Sequence, residues 1–147
     1  MILTAGVGCL DAVDALDPEV GQPLSDRCVN QDSDPDVTVS FSRHVLPLLK
    51  GEAGPVGCAC HQPSDPNPIG LEQTGLDLSS FDGIRAGGIN SGASAIVPAQ
   101  PCDSIVWQKI SPGPPFGARM PFNGPPFLDD EDRQLIADWI AEGARDN

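Results

Sequence analysis

Between Gly57 and His61 the chain places two thiols and one imidazole within five residues, in the run Gly57-Cys58-Ala59-Cys60-His61. Side chains of this kind hold metals, hold a covalent group, or pair with one another. The next seven residues, Gln62-Pro63-Ser64-Asp65-Pro66-Asn67-Pro68, are too rich in proline for a regular element. Whatever closes around the thiols must therefore come from loops and short helices elsewhere in the chain.

Composition points the same way. Glycine and proline, sixteen of each in 147 residues, make up about 22% of the chain, against a usual ~12%. There is no tyrosine, and there are five phenylalanines and two tryptophans. The length suits one domain, with a small side-chain core that a bound apolar cofactor would complete. The bland alternative is a partly disordered envelope protein. The net charge of −13 argues against nucleic-acid binding, which needs a basic footprint. It suits either steering toward a basic partner or a plain solvated acidic surface.

Five cysteines in an acidic chain of this size indicate an oxidising compartment, and no apolar run approaches the ~20 residues of a membrane span. Residues 1–9 lack a basic opening but end in Gly8-Cys9, like the tail of a bacterial lipoprotein signal with lipid attachment at Cys9. Residues 10–36 mix Asp, Pro, Gly and Ser without periodicity and read as a flexible acidic tether. The folded domain is expected over 37–147.

Within it, Phe41, Val45, Leu48 and Leu49 recur on one helical face. Thr38 or Ser40 is placed to cap that helix, Gly51 to end it, and Pro47 to shorten or kink it. Leu71, Leu76 and Leu78 are the apolar anchors of the next loop. A short helix is expected through Phe81, Ile84 and Arg85, stopped by Gly87-Gly88, and a buried extended piece at Ile96-Val97-Pro98. Another helix is expected over 103–110. A long Gly/Pro loop over 111–127 contains Arg119-Met120-Pro121. The clearest helix comes last: Asp129 caps it, acidic residues occupy its first turn, Leu135, Ile136, Trp139 and Ile140 form its apolar stripe, and Gly143 ends it.

A cysteine pair ending in an adjacent histidine reads as a covalent haem attachment site, with thioethers to the porphyrin and imidazole to the iron. With the order of elements around it, the chain resembles a class I cytochrome c domain, closest to the small cytochrome c-like domains of bacterial envelope proteins, including those of planctomycetes. Val45-Leu46-Pro47-Leu48-Leu49, Gly75-Leu76-Asp77-Leu78, Ile96-Val97-Pro98-Ala99-Gln100-Pro101, Arg119-Met120-Pro121 and the run from Leu128 to Ile140 carry the resemblance. It implies an all-α fold with crossing N- and C-terminal helices and long Gly/Pro loops around haem c. His61 and Met120 would be its axial ligands, and Cys58 and Cys60 its attachment residues. The implied function is electron transfer, without catalysis, in the periplasm or cell envelope.

The motif departs from the family's. One residue separates the cysteines instead of two, and Gly57 stands where the first cysteine is expected. Three outcomes are open: a strained second thioether, a single thioether through Cys60 with Cys58 free or in a disulfide, or a domain without haem. Two rivals differ in class. One is a haem-free, disulfide-stapled interaction module. The other is a copper or zinc site built from Cys58, Cys60, His61 and Met120, for which His44 is the sole further histidine. With Cys9 lipidated and Cys58 and Cys60 given to haem, Cys28 and Cys102 remain and are expected to pair. The competing pairing joins Cys58 to one of them.

Overall fold

Ser40 opens the first helical segment, its Oγ accepting the Arg43 N–H at 3.3 Å. In the computed structural model, which describes residues 28–147, Phe41–Val45 forms a π-helical turn that continues as α1, Leu46–Lys50. Pro47 offers no N–H, and its ring crowds the carbonyl four residues earlier. The wider turn before it absorbs that mismatch: the Leu46 N–H reaches back five residues to the Phe41 carbonyl. Gly51, at φ +73°, ends α1. The leader and lipidation site expected at residues 1–9, and most of the tether, lie outside the described residues.

The remaining helices are short. They are α2 (Ile69–Thr74), α3 (Phe81–Ala86), α4 (Ile105–Ile110) and the longer α5 (Asp130–Ala141), with 3₁₀ turns at Ala59–His61, Gly92–Ala95 and Pro101–Asp103. All regular structure among the described residues is helical, as the sequence led us to expect. Ser80 caps α3 by accepting the Gly83 N–H at 3.1 Å. Asp129 caps α5 by accepting the Asp132 N–H at 2.9 Å. Of the α5 stripe, Ile136, Trp139 and Ile140 are fully buried.

Aromatic packing crosses the N-terminal segment over α5. The Phe41 ring lies 5.2 Å from Trp139 and 5.4 Å from Phe81, within the range of productive ring pairs. Trp139 satisfies its indole N–H on the Arg145 carbonyl at 2.9 Å. Asn147 closes the joint, accepting the Phe41 N–H on its side chain and the Ser42 N–H on its carbonyl. Thus the first helical segment and residues 139–147 lock together, and residues 51–128 loop out between them.

The segment before Val37 is fastened to this body. Cys28 and Cys102 form a disulfide with Cα atoms 5.6 Å apart, the pairing the sequence suggested, and Cys58 and Cys60 stay free. Beyond it, the Asp138 carboxylate accepts the Ser33 N–H at 2.8 Å, the Ser33 hydroxyl at 2.6 Å and the Gln134 amide at 2.9 Å. Those bonds stabilise a carboxylate that is only 8% exposed. Helix α2 is the element the sequence reading treated as loop. Six residues behind a proline, with a glycine inside, leave no periodicity to detect, although Pro68 before the run and Gly75 after it mark its ends.

Candidate functional site

The thiols sit where the chain turns back from α1. The Cys58 N–H donates to the Leu49 carbonyl at 2.8 Å, drawing residues 57 and 58 against the end of that helix. Gly57 meets Gly51 backbone to backbone: a Cβ on Gly57 would lie 2.4 Å from the Gly51 Cα and N. From Cys58 the chain enters the 3₁₀ turn Ala59–His61, closed by the His61 N–H on the Cys58 carbonyl at 2.9 Å.

His61 is 5% exposed. Its Nδ1 lies 3.1 Å from the Leu76 carbonyl. A carbonyl can only accept, so Nδ1 carries the proton and Nε2 keeps its lone pair. Burial lowers the imidazole's pKa below its ordinary value, and the bond to Leu76 partly opposes that shift. The neutral, metal-binding form is therefore favoured. Helix α2 packs Gly70 against this ring: a Cβ there would lie 2.8 Å from Nε2 and Cδ2. A glycine at this position is what lets α2 approach the ring so closely.

Met120 arrives from the opposite end of the sequence by way of α4. Its N–H donates to the Lys109 carbonyl at 2.7 Å. The Lys109 ammonium reaches forward to the carbonyls of Phe116 and Ala118 and lies 4.9 Å from the centre of the Phe116 ring. Arg119, 5% exposed, bonds the Ile110 carbonyl at 2.9 Å and stacks 4.2 Å over Phe127. Charge-assisted bonds of this kind are about twice as strong as neutral ones, and they fix a loop with no regular structure.

These segments enclose one cavity of about 290 Å³, near the lower end of the range for ligand sites. Its wall includes Cys58, His61, Leu76 and Leu78, then Ile105, Val106, Lys109 and Ile110 of α4, then Phe116, Met120 and Phe122. Three of the four residues singled out from the sequence thus meet at one apolar hollow. Cys60 is not among the lining residues. His44 is not either; it is exposed and accepts the Ser40 N–H at 3.0 Å. Among the described residues no group of three or more His, Cys, Asp or Glu is placed to hold a metal ion, and the second histidine that a blue-copper site needs is absent from this cavity.

Residues 58–121 match the family model described as Planctomycete cytochrome C. The match covers 64 of the 147 residues and marks that stretch as similar to a cytochrome c-like domain. The matched region contains all four candidate site residues, and the crossing helices flank it on both sides in the structure. No curated protein and no solved structure matches the chain. Sequence reasoning missed three parts of this site: the Leu76 carbonyl on His61, Gly70 packed against it, and the Lys109 clamp on the methionine loop. Backbone acceptors and close approaches leave no mark in a single sequence, whereas a lysine ahead of a Gly/Pro loop was visible but not diagnostic.

The two thiols differ chemically. Burial, with a smaller contribution from Cys60 nearby, pushes the Cys58 thiol up to about 12. Burial and then Asp65 also raise the Cys60 thiol, and the N–H groups of Cys60 and Gly70 partly offset this. Only the thiolate is nucleophilic. In haem-free protein at pH 8, iodoacetamide should modify half-buried Cys60 well before Cys58. Peptide mapping over time checks this, and equal rates would contradict the burial of Cys58.

Proposed function

We propose that this protein is an electron carrier of the bacterial cell envelope that holds one covalent haem c, with His61 and Met120 as axial ligands. The observation that carries the reading is the single hollow lined by Cys58, His61 and Met120 within the stretch similar to a cytochrome c-like domain. The donor set fits the group. Nε2 keeps its lone pair, Met120 offers a soft thioether, and the wall is apolar, so it would supply the low-dielectric lining that an iron porphyrin needs. When bound, haem iron would supply one-electron exchange.

The chain's residues do the rest. Leu76 orients the imidazole, and Lys109 fixes the loop that presents Met120. Filling both axial positions would leave no site for a substrate, and Met/His ligation raises the reduction potential. Phe116 and Phe122, 42% and 73% exposed at the cavity rim, offer apolar surface for a redox partner to cover. The acidic net charge favours a partner with a basic docking face. In this reading Cys9 is the lipid anchor that holds the domain at an extracytoplasmic membrane surface.

Protein matured in a host equipped for c-type haem attachment should carry one haem per chain by iron analysis and pyridine haemochrome. Met120→Ala should keep the haem but open the iron. Reduced variant should bind carbon monoxide where the parent does not, and the potential should fall by roughly 0.1 V or more, within the ~0.8 V range that axial ligands span. Iron-free protein from such a host overturns the reading. Carbon monoxide binding to the parent overturns Met120 as ligand.

A further inference from the structure

We infer that haem is attached through a single thioether at Cys58, and that Cys60 remains a free thiol. This rests on the haem reading proposed for the cavity and differs from the sequence-based outcomes, in which a single thioether fell to Cys60. Three observations on the chain carry it.

The first is steric. In the usual motif two residues separate the cysteines, which would put the first of them at position 57. A Cβ there would lie 2.4 Å from two backbone atoms of Gly51, and backbone cannot swing aside as a flexible side chain can. The earlier thiol can therefore enter no sooner than position 58. The second is the turn itself. The His61 N–H closes it on the Cys58 carbonyl at 2.9 Å, which ties the backbone of Cys58 directly to the residue that carries the imidazole. The third is placement. Cys58 is 3% exposed and lines the cavity with His61 and Met120. Cys60 is not among the residues that line it.

The chemistry balances without a further reactant. The Cys58 S–H bond and the π bond of one haem vinyl break. A carbon–sulfur bond forms at one vinyl carbon, and the thiol hydrogen ends on the other. No electrons are gained or lost overall, and the second vinyl group stays intact.

The test uses haem-loaded wild-type chain. It is denatured in iodoacetamide and digested, and the peptide spanning Cys58 and Cys60 is sequenced by fragmentation mass spectrometry. Haem mass on Cys58 with an alkyl label on Cys60 is the expected result, accompanied by a haemochrome maximum characteristic of one remaining vinyl. Haem on Cys60, or on both residues, overturns the proposal. Haem present but wholly extractable by acidified solvent also overturns it, while leaving His61 and Met120 ligation standing. Protein without any haem overturns both readings. In a second arm, Cys60→Ser should keep haem staining in a denaturing gel and Cys58→Ser should lose it, with circular dichroism reporting whether each variant folds. The opposite pattern refutes the assignment.

Discussion

Replacing Cys28 and Cys102 together by serine should lower the unfolding free energy by ~4 kcal/mol. The bond spans 74 positions, and in the chain-entropy model the penalty removed from the unfolded state grows with the logarithm of that loop. The native side of the balance agrees, because the bond is embedded in other contacts. The Cys102 N–H donates to the Asn30 side chain at 2.9 Å, and Ser33 holds the Asp138 carboxylate a few residues on. A total of ~5–15 kcal/mol is ordinary for a domain, so this change would remove a large share. Urea titration of parent and variant, with the parent also measured in reductant, checks it. Reduced parent should converge on the variant. A loss under ~1 kcal/mol would mean that Ser33, Asp138 and the Val39 bond to Glu142 hold the strap unaided.

How much of this was legible in the sequence depended on the kind of interaction. Caps could be read because they are local: Ser80 and Asp129 each bond an N–H three residues on. The stripe from Phe41 to Leu49 and that of α5 could be read because burial imposes a period. The π-helical form of the first turn could not, although its cause, Pro47, was in view; the sequence shows that a bond is missing but not how the backbone absorbs it. Cys28 with Cys102 could be anticipated once the other thiols were assigned. In the cavity, the donors Cys58, His61 and Met120 were visible as residue types. The supports around them were not, since the Leu76 carbonyl and Gly70 act through backbone position. The ranking of the two thiols was also out of reach, because it depends on which face of a three-residue turn meets the hollow.

Gly57→Ala is the second substitution with a large expected effect, and it tests the geometry that imposes the short cysteine spacing. The new Cβ would fall 2.4 Å from the Cα and N of Gly51. Neither partner can yield cheaply. Gly51 is held at φ +73° as the residue that ends α1, with its N–H on the Leu48 carbonyl at 3.1 Å. On the other side the Cys58 N–H is bound to Leu49, so moving residue 57 away breaks the bond that places Cys58. Overpacking a tight site costs ~1–3 kcal/mol and occasionally more; with backbone on both sides, a loss of ~3 kcal/mol is expected. Gly54 in the same loop is the control, since a Cβ there meets nothing within 4 Å, and Gly54→Ala should leave stability almost unchanged. Moving the thiol by the double change Gly57→Cys, Cys58→Ala, which restores two residues between the cysteines, should be at least as damaging as Gly57→Ala. Denaturation midpoints of the three variants decide the matter. If Gly57→Ala and Gly54→Ala differ by less than ~1 kcal/mol, the contact with Gly51 is not what sets the spacing. If they separate as expected, the one-residue spacing is the form of the motif that this backbone admits.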